Sequence, residues 1–210
     1  MEKELIRLFS IPVLITKYKL NFKTELNYIN KKLKLIENET NKNFRSVDSY
    51  LLKKKIFSKL KKFFEDSLNV YDQEICNTKQ KLFITQSWVN FNPPKSLHHE
   101  HTHPNSIVSG VFYFQVDEKM PPITFNRTTN LNFKREVFKY NEFNSENFLL
   151  PIKSGELILF PSTLKHSVPI NTSNKNRISL SFNTFVSDKL GSEIELTELN
   201  IKEILKQKDW

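Results

Sequence analysis

The first third of the chain carries two stripes of apolar residues at helical spacing. From Asn21 onward, apolar side chains recur three and four positions apart, at Phe22, Leu26, Ile29, Leu33 and Ile36. A longer stripe follows at Ile56, Leu60, Phe63, Phe64, Leu68, Tyr71 and Ile75, and most of the lysines in this stretch lie off it. Since this spacing gathers the apolar side chains on one face, the pattern predicts two amphipathic helices that pack on the outside of a sheet.

After about residue 80 the period becomes alternating, with Phe, Ile, Val and Thr enriched between turn residues. This pattern is typical of an all-β core. The predicted strands are Lys81–Phe91, Ile107–Val116, Ile123–Asn126, Glu156–Phe160, Ser167–Ile170 and Arg177–Val186. The polar stretch 127–147 is left as a loop of the kind that often sets substrate specificity. From Ser192, helical spacing returns at Leu196, Leu199 and Leu205.

The charge distribution and the cysteine content limit the classes of function. The net charge is +9, but residues 1–80 carry 17 basic and 10 acidic side chains, against 15 and 13 in residues 81–210. A solvated, lysine-rich helix surface therefore explains the surplus better than a nucleic-acid interface. The single Cys76 excludes an internal disulfide and a thiolate metal cluster. With no secretion-type leader and no apolar run of about 20 residues, we expect a cytoplasmic protein without a membrane segment.

Four of the five histidines lie in one short run, Leu97 to Pro104. Residues two apart in a strand point to the same face, so His101 and His103 can offer two imidazoles to one ion, and His99 and His101 can do the same. Neutral imidazole suits iron, zinc, copper and nickel. A third ligand must come from a distant segment, and the only other histidine is His166, which opens a predicted strand after a sharp turn.

A polar face follows on the last predicted strand. Alternation places Arg177, Ser179, Ser181 and Asn183 on one side and three apolar residues on the other. If the polar side looks into a barrel, Arg177 is a buried cation that requires an anion, and its planar guanidinium suits a carboxylate. A dicarboxylate ligand would supply one.

Several ordered sequence blocks resemble one known family, described as "putative 2OG-Fe(II) oxygenase". The resemblance covers about residues 85–186, and the segment Leu8–Val13 is similar to the family's opening strand. The blocks are Trp88-Val89-Asn90, His101-Thr102-His103-Pro104-Asn105-Ser106, Ser109-Gly110-Val111-Phe112-Tyr113, Leu159-Phe160-Pro161-Ser162, His166-Ser167-Val168 and Arg177-Ile178-Ser179-Leu180-Ser181-Phe182-Asn183.

The resemblance implies a mainly β fold with flanking helices, whose core is a double-stranded β-helix, the jelly roll of cupin-like proteins. It implies Fe(II) as the metal, bound by His101, His103 and His166, with 2-oxoglutarate and O2 as cosubstrates. The distal carboxylate of 2-oxoglutarate would bind Arg177 and Ser179. Asn90 and Tyr113 would line the cosubstrate pocket. The implied reaction is hydroxylation of a substrate, coupled to decarboxylation of 2-oxoglutarate to succinate.

The chain reads as one structural unit with three regions. Residues 1–80 form an N-terminal strand and helical support region, residues 81–190 the catalytic core, and residues 191–210 a helical tail. The substrate is a small molecule or a protein side chain, which the sequence does not identify. It does not determine the oligomeric state either, and a homodimer is compatible with it.

One departure and three alternatives stay open. The wider superfamily uses His-x-Asp/Glu with a distal His, whereas the second position here is His103. In a shifted register, His98 and Glu100 would restore the carboxylate. The functional alternatives are a cupin-like three-histidine metalloprotein that does not use 2-oxoglutarate, and a basic module that binds nucleic acid or a partner through its lysine-rich helices.

Overall fold

A computed structural model of the chain describes residues 1–6, 8, 10–127, 136–204 and 206. Phe9, Leu205 and part of the polar stretch 127–147 lie outside the described residues. The strands are β1 (Leu14–Lys17), β2 (Leu35–Asn38), β3 (Asn43–Ser46), β4 (Leu82–Asn92), β5 (His98–His101), β6 (Val108–Gln115), β7 (Ile123–Asn126), β8 (Asn147–Leu150), β9 (Glu156–Pro161), β10 (His166–Val168), β11 (Arg177–Val186), β12 (Lys189–Leu190) and β13 (Leu199–Asn200). The α-helices are α1 (Lys23–Lys32), α2 (Ser58–Tyr71) and α3 (Ile201–Ile204).

Two antiparallel sheets form the core. The larger has seven strands in the order β1-β9-β6-β11-β4-β3-β2, and the smaller has four in the order β5-β10-β7-β8. From β4 to β11 the chain passes back and forth between the two sheets, so eight strands wind into a double-stranded β-helix, the predicted jelly roll. A separate two-stranded ribbon pairs β12 with β13.

The middle of the large sheet is buried on both faces, as the alternating side chains of β6 show. Phe112 and Phe114 point outward into the core shared with the helices, whereas Val111 and Tyr113 point inward into the core between the sheets. On α2, the Phe64 ring lies 5.4 Å from the Phe112 ring. The prediction of helices packed on the outside of a sheet is therefore confirmed.

The predicted helices are present, with different ends. α1 begins at Lys23, but it stops at Lys32, and Ile36 lies exposed on strand β2. Two 3-10 turns, Leu51–Lys53 and Lys55–Phe57, lead into α2, and one turn of π-helix, Asp72–Cys76, follows it. Near the C-terminus, Leu199 lies on β13, and α3 is the one helix among the described residues after Ser192, so the helix predicted there is largely wrong.

Most predicted strands agree with the observed ones. Ile123–Asn126 and Arg177–Val186 match residue for residue, and β10 ends at Val168 because Pro169 has no N–H to continue the ladder. The first strand is Leu14–Lys17, which follows the predicted segment Leu8–Val13. The hairpin β2–β3 and the strand β8 were not predicted. No helix among the described residues has the length and apolarity that a membrane crossing needs.

Gly110 marks a close approach between β6 and β11. It is paired with Phe182, and a Cβ built on it would lie 2.2 Å from the Phe182 ring. We expect Gly110→Ala to lower the free energy of unfolding by about 1–3 kcal/mol, because the buried ring has no room to move. Urea denaturation measures this loss. The double variant Gly110→Ala/Phe182→Leu should lose less unfolding free energy than the sum of the losses in the two single variants. Full additivity would contradict the clash.

Candidate active site

Neighbouring strands bring three histidines together. β10 pairs with β5 so that His166 lies opposite His101, and both rings therefore point to the same face of the small sheet. His103 lies just after β5, where its backbone N–H donates to the carbonyl oxygen of Ser162 at 2.9 Å. That hydrogen bond ties the segment to the end of the large sheet and turns the third ring toward the other two.

The three rings meet at one point. One nitrogen of each of His101, His103 and His166 lies within 4.8 Å of the others, and the Nε2 atoms of His101 and His103 are 3.2 Å apart. Metal–imidazole bonds of about 2.1 Å to a common ion need nitrogens roughly 3 Å apart. His103 and His166 are buried and His101 is half-buried. The donor set and its spacing fit a single transition-metal ion.

The environment keeps these imidazoles neutral. Burial lowers the pKa of His103 to about 4 and that of His166 to about 3, and burial also lowers the pKa of His101. The Nδ1 atom of His101 lies 2.9 Å from the carbonyl oxygen of His99, and Nδ1 of His166 lies 3.0 Å from that of Leu164. Since a carbonyl only accepts, each Nδ1 carries the proton and each Nε2 keeps a free lone pair.

A polar chain orients His103. Its Nδ1 donates to Asn183 Oδ1 at 2.5 Å and lies 2.9 Å from the hydroxyl oxygen of Ser109. Ser109 in turn hydrogen-bonds to Ser162, which donates to Ser106. This network fixes the same tautomer for His103 as for the other two histidines.

Loss of the Asn183 amide is therefore expected to loosen the metal centre. We expect Asn183→Ala to weaken binding of Ni(II) by about 10- to 100-fold, because the His103 ring loses its orienting acceptor. Competition titration against a chelating dye measures the affinity. Asn183→Asp keeps an acceptor oxygen and should retain most of it, and equal affinities in Asn183→Ala and wild type would contradict the role.

Arg177 is a fully buried cation for which the described part of the chain supplies no anionic partner. It is 2% exposed, its Nε–H has no hydrogen-bond acceptor, and no carboxylate among the described residues forms an ion pair with it. Its guanidinium carbon lies 5.0 Å from the centre of the Tyr113 ring. The Tyr113 hydroxyl beside it is also buried, and burial raises its pKa to about 12. A buried cation such as Arg177 is expected to bind an anionic ligand.

One cavity of about 570 Å³ joins these groups. Ser179 lies between Asn90 on β4 and Tyr113 on β6 in the sheet register, and Asn90 donates from Nδ2 to the Ser181 hydroxyl at 3.0 Å. The residues singled out from the sequence all line this cavity: His101, His103, His166, Arg177, Ser179, Asn90 and Tyr113.

A comparison with protein families gives a match to the β-helix core. Residues 86–183 match the family model described as "Putative 2OG-Fe(II) oxygenase". The core is therefore similar to that family. Its description names Fe(II) and 2-oxoglutarate, and the three imidazoles and the buried guanidinium fit a metal ion and a dicarboxylate. No curated protein matches the sequence.

Solved structures share the fold of this chain at low identity. HygX from Streptomyces hygroscopicus, with nickel, 2-oxoglutarate and hygromycin B bound, is 11% identical, with 84% of each chain covered and a TM-score of 0.61. The epimerase SnoN from nogalamycin biosynthesis is 11% identical over 83% of this chain and 76% of its own, with a TM-score of 0.62. A prolyl-4-hydroxylase from Pseudomonas putida is 10% identical over 84% and 94%, with a TM-score of 0.55.

The shifted register of the histidine motif, with His98 and Glu100 as ligands, finds no support in the geometry. Glu100 is exposed, and its carboxylate accepts from Asn126 Nδ2 at 2.6 Å and lies 3.4 Å from the Lys165 ammonium. It is not part of the histidine cluster. His98 does line the cavity, where its ring stacks on His101 at 4.7 Å.

Sequence reasoning missed some residues of the candidate site. Trp88, which the sequence alone gave no role in the site, lines the cavity with its ring 5.8 Å from that of His103. Trp88 precedes Asn90 by two positions on β4, so alternation from Asn90 could have placed it there. Arg45 lines the cavity from β3, and no local pattern relates that hairpin to the distant histidines.

Proposed function

We propose that this chain is an Fe(II)- and 2-oxoglutarate-dependent dioxygenase that hydroxylates a substrate molecule. One observation carries the proposal: a fully buried guanidinium, with no anionic partner among the described residues, shares a cavity with three converging neutral imidazoles. The imidazoles suit a metal ion, and the cation suits a dicarboxylate that reaches across the cavity from that ion. A plain metal-binding site would not need the buried arginine.

In this proposal His101, His103 and His166 hold Fe(II) through their Nε2 atoms. Arg177 binds the distal carboxylate of 2-oxoglutarate, Ser179 donates its hydroxyl to the same group, and Tyr113 covers one side of the cosubstrate. When bound, the iron and 2-oxoglutarate supply oxidising power: dioxygen gives one oxygen atom to succinate and one to the substrate C–H bond, and carbon dioxide leaves.

The remaining residues of the cavity control its solvation. Val111, Ile123 and Val168 line it with apolar side chains, which limits the water around the buried charges. In such surroundings a charged hydrogen bond from Arg177 is stronger than it would be in water. The chain thereby provides a dry pocket at the metal, and it keeps the imidazoles neutral and oriented.

We also propose a separate role for each of two regions of the chain. Residues 1–80 support the large sheet from outside, and residues 81–190 carry the catalytic groups. Packing of Phe64 against Phe112 and Phe182 supports this role for the first region. The lysines of α2 are partly paired with acidic residues one turn away, as in Lys61–Glu65 and Lys62–Asp66, which argues against a nucleic-acid surface on that helix.

Hydroxylation is proposed over other outcomes of the same chemistry. The structural neighbours include an epimerase, a carbocyclase and a prolyl-4-hydroxylase, and hydroxylation is the outcome that needs no second reactive group in the substrate. The test incubates the protein and Fe(II) with 2-oxoglutarate and labelled dioxygen, first alone and then with a small-molecule extract. We expect succinate that depends on both iron and 2-oxoglutarate, and one labelled oxygen atom in a product of the extract.

The controls separate the candidate functions. Oxygen consumption without any need for 2-oxoglutarate would favour the cupin-like alternative. Succinate formation with an unlabelled, dehydrogenated or rearranged product would retain the oxygenase class and contradict hydroxylation. Absence of succinate from iron-loaded protein would contradict the whole proposal.

A further inference from the structure

Part of the cavity wall lies away from the groups assigned to the metal and to 2-oxoglutarate. This wall is the inner face of the hairpin β2–β3, where Asn38 is paired with Asn43 and Ile36 with Arg45. Arg45 is in turn paired with Asn90 on β4. The hairpin therefore extends the large sheet past the cosubstrate residues and forms the side of the cavity that a substrate would contact.

Arg45 is a second guanidinium facing this cavity. It donates one hydrogen bond, from Nη1 to the carbonyl oxygen of Ser46 at 3.2 Å. Across the described residues, no carboxylate forms an ion pair with it. Glu37, the one acidic side chain among the described residues that line the cavity, lies 3.9 Å from the Lys42 ammonium. Arg45 thus keeps most of its N–H donors for a ligand.

The net charge of the cavity with Fe(II) and 2-oxoglutarate bound also favours an anionic substrate. Three neutral imidazoles leave the charge of Fe(II) to be balanced by the two carboxylates of 2-oxoglutarate, and Arg177 then adds one positive charge. A carboxylate in place of His103 would have cancelled that charge. Arg45 and Glu37 contribute opposite charges, so the loaded cavity stays net positive and favours an anionic guest.

Two buried amides add hydrogen-bonding capacity to the cavity: Asn43 lies on the hairpin, and Asn92 lies on β4, where it is paired with Arg177. Asn43 and Asn92 are 4% and 0% exposed, both line the cavity, and the side-chain oxygen of each has no partner. Buried polar atoms are rarely left unpaired, because the lost hydrogen bond costs about 1–3 kcal/mol. These oxygens would accept from hydroxyl or amino groups of a ligand.

We propose that the substrate is a small molecule that bears an oxyanion, a carboxylate or a phosphate, which Arg45 binds, and hydroxyl or amino groups, which Asn43 and Asn92 bind. This inference rests on the proposed function, since the charge balance assumes bound iron and 2-oxoglutarate. A cavity of about 570 Å³ lies in the range of small-molecule pockets.

The test measures anion binding to protein loaded with one equivalent of Ni(II) and saturating 2-oxoglutarate, which occupies the Arg177 end. Inorganic phosphate and acetate are titrated separately by calorimetry at an ionic strength held constant with chloride. We expect one of the two anions to bind, and Arg45→Gln to weaken its binding by about tenfold or more, the loss of a charge-assisted contact. Preference for phosphate or for acetate identifies which oxyanion the substrate carries.

The matched control is Lys42→Gln, which removes an exposed cation from the same hairpin and should change the affinity less than about twofold. Equal binding by wild type and Arg45→Gln, equal losses in the two variants, or no binding of either anion would overturn the inference. Succinate formation by the wild type is measured separately. Its absence would count against the proposed function, whereas Arg45-independent anion binding would count only against this inference.

Discussion

Replacing His101 by alanine is expected to weaken Fe(II) binding by more than about 100-fold and to abolish succinate formation. The ring supplies one of the three nitrogens that meet within 4.8 Å, and loss of a ligand costs more than the 10- to 100-fold typical of an outer-shell partner. Because His101 is only half-buried, the fold should survive. Anaerobic competition titration measures the affinity, and circular dichroism verifies the fold.

His99 offers a matched control for this variant. It is exposed on the same strand, with Nδ1 accepting from Asn41 Nδ2 at 2.6 Å, and it is not a member of the cluster. His99→Ala keeps the backbone carbonyl that orients His101, so its iron affinity should remain near that of the wild type. Full iron affinity in His101→Ala, or equal losses in the two variants, would contradict the assignment of the ligands.

Replacing Arg177 by methionine is expected to separate function from stability. Affinity for 2-oxoglutarate should fall by about 100-fold or more, because the distal carboxylate loses a buried, charge-assisted partner. The apoprotein should be as stable as the wild type or up to about 3 kcal/mol more stable, because a buried cation without an anion gives way to an apolar chain of similar length. Calorimetry with 2-oxoglutarate and urea denaturation measure the two effects.

Ser179→Ala is expected to reduce the affinity for 2-oxoglutarate less than the Arg177 variant does. Its hydroxyl is buried beside the same pocket, and a neutral hydrogen bond contributes about 1 kcal/mol, so affinity for 2-oxoglutarate should fall by about fivefold. A methionine variant of Arg177 that binds 2-oxoglutarate like the wild type would remove the basis for the cosubstrate site. A large loss of apoprotein stability would show that the cation serves the fold instead.

The alternation of polar and apolar residues is enough to predict a strand that has one polar and one apolar face. β11 was predicted with both its ends and its polar face, because Arg177, Ser179, Ser181 and Asn183 alternate with apolar residues and all four line the cavity. His101 and His103 share a face for the same reason. Their meeting with His166 followed from the family resemblance and from the small number of histidines in the chain.

The hairpin β2–β3 could not be predicted from local pattern. Every residue of β2 is exposed, so burial imposes no alternation, and Leu33 and Ile36 continue the helical spacing of α1 by coincidence. α1 ends at Lys32 because the chain turns extended at Leu33. The role of Arg45 depends on this hairpin joining the large sheet beside β4, which is a tertiary contact that no short stretch of sequence encodes.

The most direct test of the account is an anaerobic titration of the apoprotein with Fe(II) and then with 2-oxoglutarate, followed by visible absorption. A weak charge-transfer band that grows with 2-oxoglutarate and saturates at one equivalent of each is expected, and it should be absent from His101→Ala. Iron binding without any spectral response to 2-oxoglutarate would contradict a cavity that presents a metal at one end and a cation for the cosubstrate at the other.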